Sequence, residues 1–319
     1  MRTPLVSILI PTFNSGRFVL AAVRSALEQS WQNLEVVVMD DGSSDETIAQ
    51  LQTIDDPRLQ VHSQENAGPA VALNNALPFS RGSLIALLDH DDLWARDKIA
   101  TQVAAMDRDF GLDLSFTWSR LVDDAGQPTG LHSHRWHGQL SFSQMVEDFV
   151  IGNTSAVLLR REALEKAGGF DPSFRLYYDM DLFLRVTALR PNNCAAVSQD
   201  LTFYRRHSMQ ISGDWRAMQN EWKRLLAKLE PDAPSKALRR GNANMTRYFA
   251  FLAYERRQFH ECLDLLGQCA KLSPAGGAMD PRNAKLMAAC AAGLLLPPRV
   301  HQWLESLAGI SSANSDRAS

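Results

Sequence analysis

Leu84-Ile85-Ala86-Leu87-Leu88 gives way at once to Asp89-His90-Asp91-Asp92. A short apolar run bounded by Gly82 and by charge predicts a strand buried on both faces. Side chains alternate along an extended chain, so Asp89 and Asp91 point the same way if the strand persists through them. His90 then points the opposite way and reads as structural. Two like charges held side by side repel, and one keeps its proton unless a cation sits between them. Hard oxygen ligands of this kind suit magnesium or manganese. The carboxyl ends of strands are also where open α/β sheets bind ligands. A solvated acidic turn is the alternative, and on this stretch alone the two weigh evenly.

Other segments carry polar groups at equally pointed places. Asp40-Asp41-Gly42 ends the apolar run Leu34–Met39, and an Asp-Gly pair is also a common turn former. Tyr178-Asp179-Met180-Asp181 opens a helical pattern, where acids suit the helix dipole and could equally serve as a cap. Tyr204-Arg205-Arg206-His207 places cations and an imidazole at a strand end, or simply a basic end facing water. His132, His134 and His137 fit no helical zinc spacing. A solvated or ligand-contacting loop is the better reading, with Trp136 able to offer an apolar ring face.

These residues need strand ends and helix starts to hold them. Leu5–Ile10 is β-branched and apolar and stops at Pro11; Pro11-Thr12-Phe13-Asn14-Ser15-Gly16 is a loop by its Pro, Asn and Gly. A helix follows with Phe18, Ala22, Val23, Ala26 and Leu27 on one face. Ser43 and Glu46 have capping-box spacing before a helix through Ile48 and Leu51. Leu59–His62 is a short strand, and a helix from Gly68-Pro69 carries Ala70, Leu73, Asn74 and Leu77. Strand and helix alternating up to the Leu84 run predicts a parallel sheet covered on both faces. After Asp92 the pattern changes: a helix over 97–106, a strand over 112–121, an irregular 129–138, a helix over 143–150, a strand over 156–160 and a short helix over 162–167. Then come a helix from Tyr178 and one or two strands over 194–206. From Trp215 onward only helical patterns remain. Residues 245–272 read as a helix pair, faintly like one tetratricopeptide unit, and a single copy is weak evidence for a repeat.

By this point the ordered set of motifs resembles glycosyltransferase family 2, the inverting, nucleotide-sugar-dependent enzymes of the GT-A fold. The resemblance rests on Val6–Asn14, Val38–Asp45, Gly68 with Leu73-Asn74, Leu88–Asp92, and Gly168-Gly169-Phe170 with Tyr178–Leu182. It covers roughly the first two thirds of the chain. It implies an α/β fold of GT-A type: a mainly parallel nucleotide-binding sheet flanked by helices, and a mixed acceptor half. An all-helical C-terminal extension lies beyond it. The implied nucleotide-binding residues are Pro11, Thr12, Phe13, Asn14, Asp41, Gly68, Asn74, Asp89 and His90. Phe13 would lie near the base, and Asp41 would accept from an imide N–H of uracil or the equivalent edge of another base. Gly68 and Asn74 would line the nucleotide pocket, though plain helix-start roles suit them as well. Asp91, Asp89 and His207 would serve Mn2+ or Mg2+, with Asp92 a candidate to support them. Asp179 would be the catalytic base that takes the proton from the acceptor hydroxyl. Two departures stand out: Tyr178 replaces the Glu usual before Asp179, and Leu73 replaces the Arg many relatives carry before the Asn.

Composition sets the bounds. The chain has 319 residues, 45% hydrophobic and 22% charged, with a net charge of -3. That fits a globular protein and supplies no basic field for nucleic acid. Cys194, Cys262, Cys269 and Cys290 show no CxxC pair, which suits a reduced cytoplasmic chain with buried thiols. No signal peptide precedes the first strand, and the apolar stretch Leu286–Leu296 is well short of the ~20 residues a membrane span needs. The expected organisation is a catalytic domain over 1–212, a helical extension over 213–310 and a disordered tail over 311–319. The expected partners are a nucleotide-sugar donor, UDP-linked by preference, and a glycan or lipid-linked acceptor. Peripheral contact at the inner membrane face and homodimerisation through the C-terminal helices both stay open. Two rivals remain at this stage. A sugar nucleotidyltransferase would open with a Gly-rich basic loop that Pro11–Arg17 lacks. A non-catalytic nucleotide- or glycan-binding module is kept alive by Tyr178 and Leu73.

Overall fold

The computed structural model describes residues 3–109, 111–207, 210, 214–273, 281–297 and 299–301. The described residues fall into two compact units: Met1–Met145 with Phe149–Gln210, and Val146–Asp148 with Ile211–Ser319. The tail predicted from Ser311, and the boundary at 212, lie outside the described residues.

The first unit begins with β1 (Val6–Thr12), α1 (Val19–Leu27), β2 (Leu34–Asp40), α2 (Thr47–Leu51), β3 (Leu59–Ser63), α3 (Pro69–Ala76) and β4 (Leu84–Leu87). β1 pairs in parallel with both β2 and β4, and β2 pairs in parallel with β3. β1 and β2 are buried along their whole length, as continuous apolar runs predict for strands covered on both faces. Val19, Ala22, Val23 and Ala26 of α1 join Ile8, Ile10, Val36 and Val38 in one apolar cluster. Because β1 and β2 run the same way, the loops that follow them emerge side by side.

The sheet then turns mixed. It continues through β5 (Leu93–Trp94), α4 (Lys98–Arg108), β6 (Leu114–Val122), β7 (Pro128–His132), α5 (Phe142–Glu147), β8 (Val157–Arg160), α6 (Arg161–Lys166), α7 (Tyr178–Ala188) and β9 (Cys194–Arg205). The strand order is β3-β2-β1-β4-β8-β6-β9-β5, with β7 paired to β6. β8 is antiparallel to both β4 and β6. β9 is parallel to β6, with register shifts around Trp118. β9 is one long strand, and its far end returns to the residues that follow β4.

Three local expectations change. The Leu84 strand does not persist to Asp91: β4 ends at Leu87, and a turn closes as Asp92 N donates to Asp89 O at 3.2 Å. Alternation therefore does not set the directions of Asp89 and Asp91. Residues 129–132 of the segment expected to be irregular, with Pro128 before them, form β7, a strand paired to β6. The capping box also fails. Helix α2 has no side-chain cap, because the Ser43 hydroxyl accepts instead from Asn14 N at 2.8 Å.

The second unit contains α8 (Trp215–Leu229), α9 (Ser235–Glu255), α10 (Phe259–Leu272) and α11 (Pro281–Leu295). Asp214 caps α8 by accepting from Arg216 N and Ala217 N. Helices α9 and α10 form the expected pair, although α9 starts ten residues before Met245. The interior Gly241 is needed by packing: a Cβ there would lie 2.1 Å from Val146 O. The four cysteines are buried and free.

Candidate active site

The loops after β1 and β2 are laced together. Asn14 adopts φ +47°, and its Oδ1 accepts from Ser44 N at 2.8 Å. Ser15 N donates to Thr47 Oγ1 at 2.8 Å, and Gly16 N to Asp45 at 3.0 Å. Thr12 is buried and its hydroxyl meets that of Ser15. Asp40 accepts from Ser43 N. Between these anchored neighbours Phe13 stays 44% exposed, leaving a ring available to stack.

Asp41 is buried and draws the next loop toward it. Its Oδ1 accepts from Gln64 Nε2 and Ala67 N, and its Oδ2 from Gly68 N, each at 2.8 Å. A carboxylate offers about four lone-pair sites, so one acceptor position remains for a ligand N–H. Gly68 sits at φ +93° at the start of α3, a conformation glycine adopts without strain. Asn74 does not lie free in the pocket: both of its polar atoms engage the backbone of Phe170. Leu73 is fully buried, so an apolar residue fits this position.

Beyond β4 the carboxylates crowd. Asp91 Oδ2 meets His207 Nε2 at 2.8 Å, and the His207 ring packs on Phe18 with centroids 4.8 Å apart. His90 Nδ1 donates to Pro11 O at 3.2 Å, tying this turn to the β1 loop. Asp92 is fully buried; it accepts from Ser155 Oγ at 2.6 Å and from Arg205 N at 2.8 Å. Its role is to fasten the turn to β9. Asp179, in the first turn of α7, accepts from Thr154 Oγ1 at 2.9 Å and from Met180 N at 2.7 Å. Asp181 is instead held by Arg185 in an i,i+4 pair.

Electrostatics follow from this crowding. Burial pushes the Asp89 carboxyl well above its ordinary range; Asp91 and Asp179 push it further, against hydrogen bonds from Thr154 and Tyr178. Burial also raises Asp179, outweighing the hydrogen bonds from Met180 and Thr154. Burial acts on Asp91 in the same sense, yet its pKa is lowered, because the His207 hydrogen bond and the charges of His90 and His207 prevail. One acid of the group is thus held ionised, and Asp89 and Asp179 hold protons more tightly than usual.

The structure therefore brings Asp89, Asp91, Asp92, Asp179 and His207 to one place, with the Pro11–Asn14 loop tied in through His90. The Thr154-Ser155 pair was not singled out in the sequence. A run of small polar residues, Asn153-Thr154-Ser155, directly before a buried strand was the available signal. His132 lies near Asp200, which also pairs with Arg120 and Arg135.

The model of glycosyl transferase family 2 matches residues 7–178, and the chain belongs to that family. It is a glycosyltransferase. It is 31% identical over 229 residues to TuaG of Bacillus subtilis (strain 168), a chain named as a teichuronic acid biosynthesis glycosyltransferase; the match covers 69% of this chain and 86% of that one. It is 28% identical over 222 residues to the Escherichia coli UDP-Glc:alpha-D-GlcNAc-diphosphoundecaprenol beta-1,3-glucosyltransferase WfgD, covering 68% of this chain and 84% of WfgD. Among solved structures it resembles the mannosyltransferase PcManGT from Pyrobaculum calidifontis in complex with GDP-Man and Mn2+. There the TM-score is 0.58 and the identity 21%, over 96% of this chain and 84% of that one. This likeness shows the GT-A fold. Family membership removes both rivals raised by the sequence, and the helical C-terminal region completes the expected architecture.

Proposed function

We propose that the enzyme moves a sugar from a UDP-linked donor to a hydroxyl of a growing glycan or lipid-linked acceptor in surface polysaccharide synthesis, with inversion at the anomeric carbon. The relatives named for teichuronic acid synthesis and for a UDP-Glc donor with a diphosphoundecaprenol acceptor support this reading. The observation that carries it is the meeting of Asp179 with Asp89 and Asp91 where β4 runs out.

In this reading Asp179 takes the proton from the acceptor hydroxyl as that oxygen attacks the anomeric carbon from the side opposite the leaving group. Burial suits it to the task, since a carboxylate with raised proton affinity is a stronger base. Phe13 stacks on the base, Asp41 offers its remaining acceptor position to the imide N–H, and Asp89 faces the ribose or diphosphate. Among the described residues no three His, Cys, Asp or Glu side chains form a ready-made metal site. The donor set nonetheless fits Mn2+ or Mg2+: Asp91, Asp89 and His207 would hold it, and the ion would offset charge on the departing diphosphate. The pairing of Asp91 with His207 keeps that carboxylate ionised. No described helix is long and apolar enough to cross a membrane. In this reading a lipid-linked acceptor is met at the inner membrane face.

The test is Asp179→Asn assayed beside the wild type with a panel of nucleotide-sugars and manganese. Transfer should vanish while UDP binding by calorimetry stays within a few-fold. Near-normal turnover in that variant refutes the assignment of the base.

A further inference from the structure

Thr154, which lies outside every motif of the sequence, meets Asp179. Thr154 Oγ1 donates to Asp179 Oδ2 at 2.9 Å. Its neighbour Ser155 accepts from Asp89 N at 3.0 Å and donates to Asp92 Oδ2 at 2.6 Å. Ser155 O in turn accepts from Trp94 Nε1 at 2.8 Å. Asn153 Nδ2 anchors the segment to Ser119 Oγ at 2.8 Å. Thr154 and Ser155 are buried on the short 3-10 turn that enters β8. One dipeptide thus touches α7 on one side and the end of β4 on the other.

We infer that Thr154 is a positioning residue for the transfer reaction: it sets the orientation of the Asp179 carboxylate relative to the Asp89 turn, which the Ser155 hydroxyl fixes by accepting from Asp89 N. The inference rests on Asp179 being the base. The chemistry is simple. A carboxylate turns about its last torsion unless its oxygens are held. Met180 N holds Oδ1 from within the helix, and Thr154 is the partner on Oδ2. With Oδ2 released, the lone pair that must receive the acceptor proton loses its aim. Misplacing a reacting group by about an ångström costs on the order of 100-fold in rate.

The experiment compares Thr154→Val, Thr154→Ser and Asp179→Asn in the full chain. Valine keeps the shape and removes the hydroxyl; serine keeps the hydroxyl. For Thr154→Val the expected result is a fall in kcat of roughly 10- to 100-fold, with the donor KM and UDP binding within about twofold. The melting temperature reports whether the turn survives. Thr154→Ser should recover most of kcat, a rescue that a packing role for the methyl group would not give. Thr154→Val with wild-type kcat, beside an inactive Asp179→Asn, overturns this inference and leaves the base in place. An active Asp179→Asn overturns the base itself. A fall in kcat that serine does not restore also counts against positioning by the hydroxyl.

Discussion

Asn74 grips both backbone groups of Phe170: its Oδ1 accepts from Phe170 N at 2.9 Å and its Nδ2 donates to Phe170 O at 2.7 Å. The side chain acts as a short strand partner for a single residue, holding the Gly168-Gly169 turn against α3. Gly169 has φ +74°, and a Cβ there would lie 2.9 Å from Asn74 Oδ1. Asn74→Ala should leave both Phe170 groups without their partner and cost about 1–3 kcal/mol of stability. Asn74→Asp keeps an acceptor and loses the donor, so it should fall between the two. Urea denaturation of the three proteins checks the order.

A second prediction concerns His207 and the divalent ion. His207→Ala removes the partner that holds Asp91 ionised. Chelation by EDTA should abolish transfer by the wild type, and added Mn2+ should restore it. In His207→Ala the Mn2+ concentration for half-maximal activity should rise about 10-fold or more. Metal titration of steady-state rates reads the shift directly.

Lys98 gives a prediction about pH. It is fully buried, donates to Gln102 Oε1 at 2.6 Å and lies 4.2 Å from the centre of the Trp94 ring. Burial pushes its pKa well below the ordinary lysine value. Unfolded, this amine holds its proton to about pH 10.4. Between the folded and unfolded values the unfolded chain binds more protons, so this contribution to stability rises with pH. Lys98→Met should therefore raise the melting temperature at pH 7, and the gap to wild type should narrow toward pH 10. Scanning calorimetry across that range is the check; a gap independent of pH would contradict it.

In the helical unit, Gly241→Ala should destabilise by about 1–3 kcal/mol, since the Val146 carbonyl occupies the space of the new methyl. Helix propensity alone favours alanine over glycine by about 1 kcal/mol. The sign of the measured change thus separates packing from propensity, and chemical denaturation supplies it.

The parallel half was legible because its strands are buried on both faces and its helices on one. Both leave simple apolar patterns, as in β1, β2 and α1. Asp89 and Asp91 were legible as an abrupt end to such a pattern. Their geometry was not, because β4 stops at Leu87 and a turn intervenes. Ser43 misled for a related reason: a hydroxyl with capping spacing found a better donor in Asn14, which lies on a different loop. The pairing of Asn74 with Phe170 left no signal, because the two are remote in sequence. Thr154 and Ser155 left little trace, since a buried hydroxyl declares its role only through its partners.

The return of β9 has a consequence for how the enzyme comes into being. Asp92 waits for Arg205, and Asp91 for His207, partners that lie 113 and 116 residues later. Contacts so distant along the chain close late. On the ribosome, a nascent protein could assemble the β1–β4 layer and still own no finished catalytic centre until residue 207 clears the exit tunnel. Competence would then arrive in one step, near the end of the first unit's synthesis.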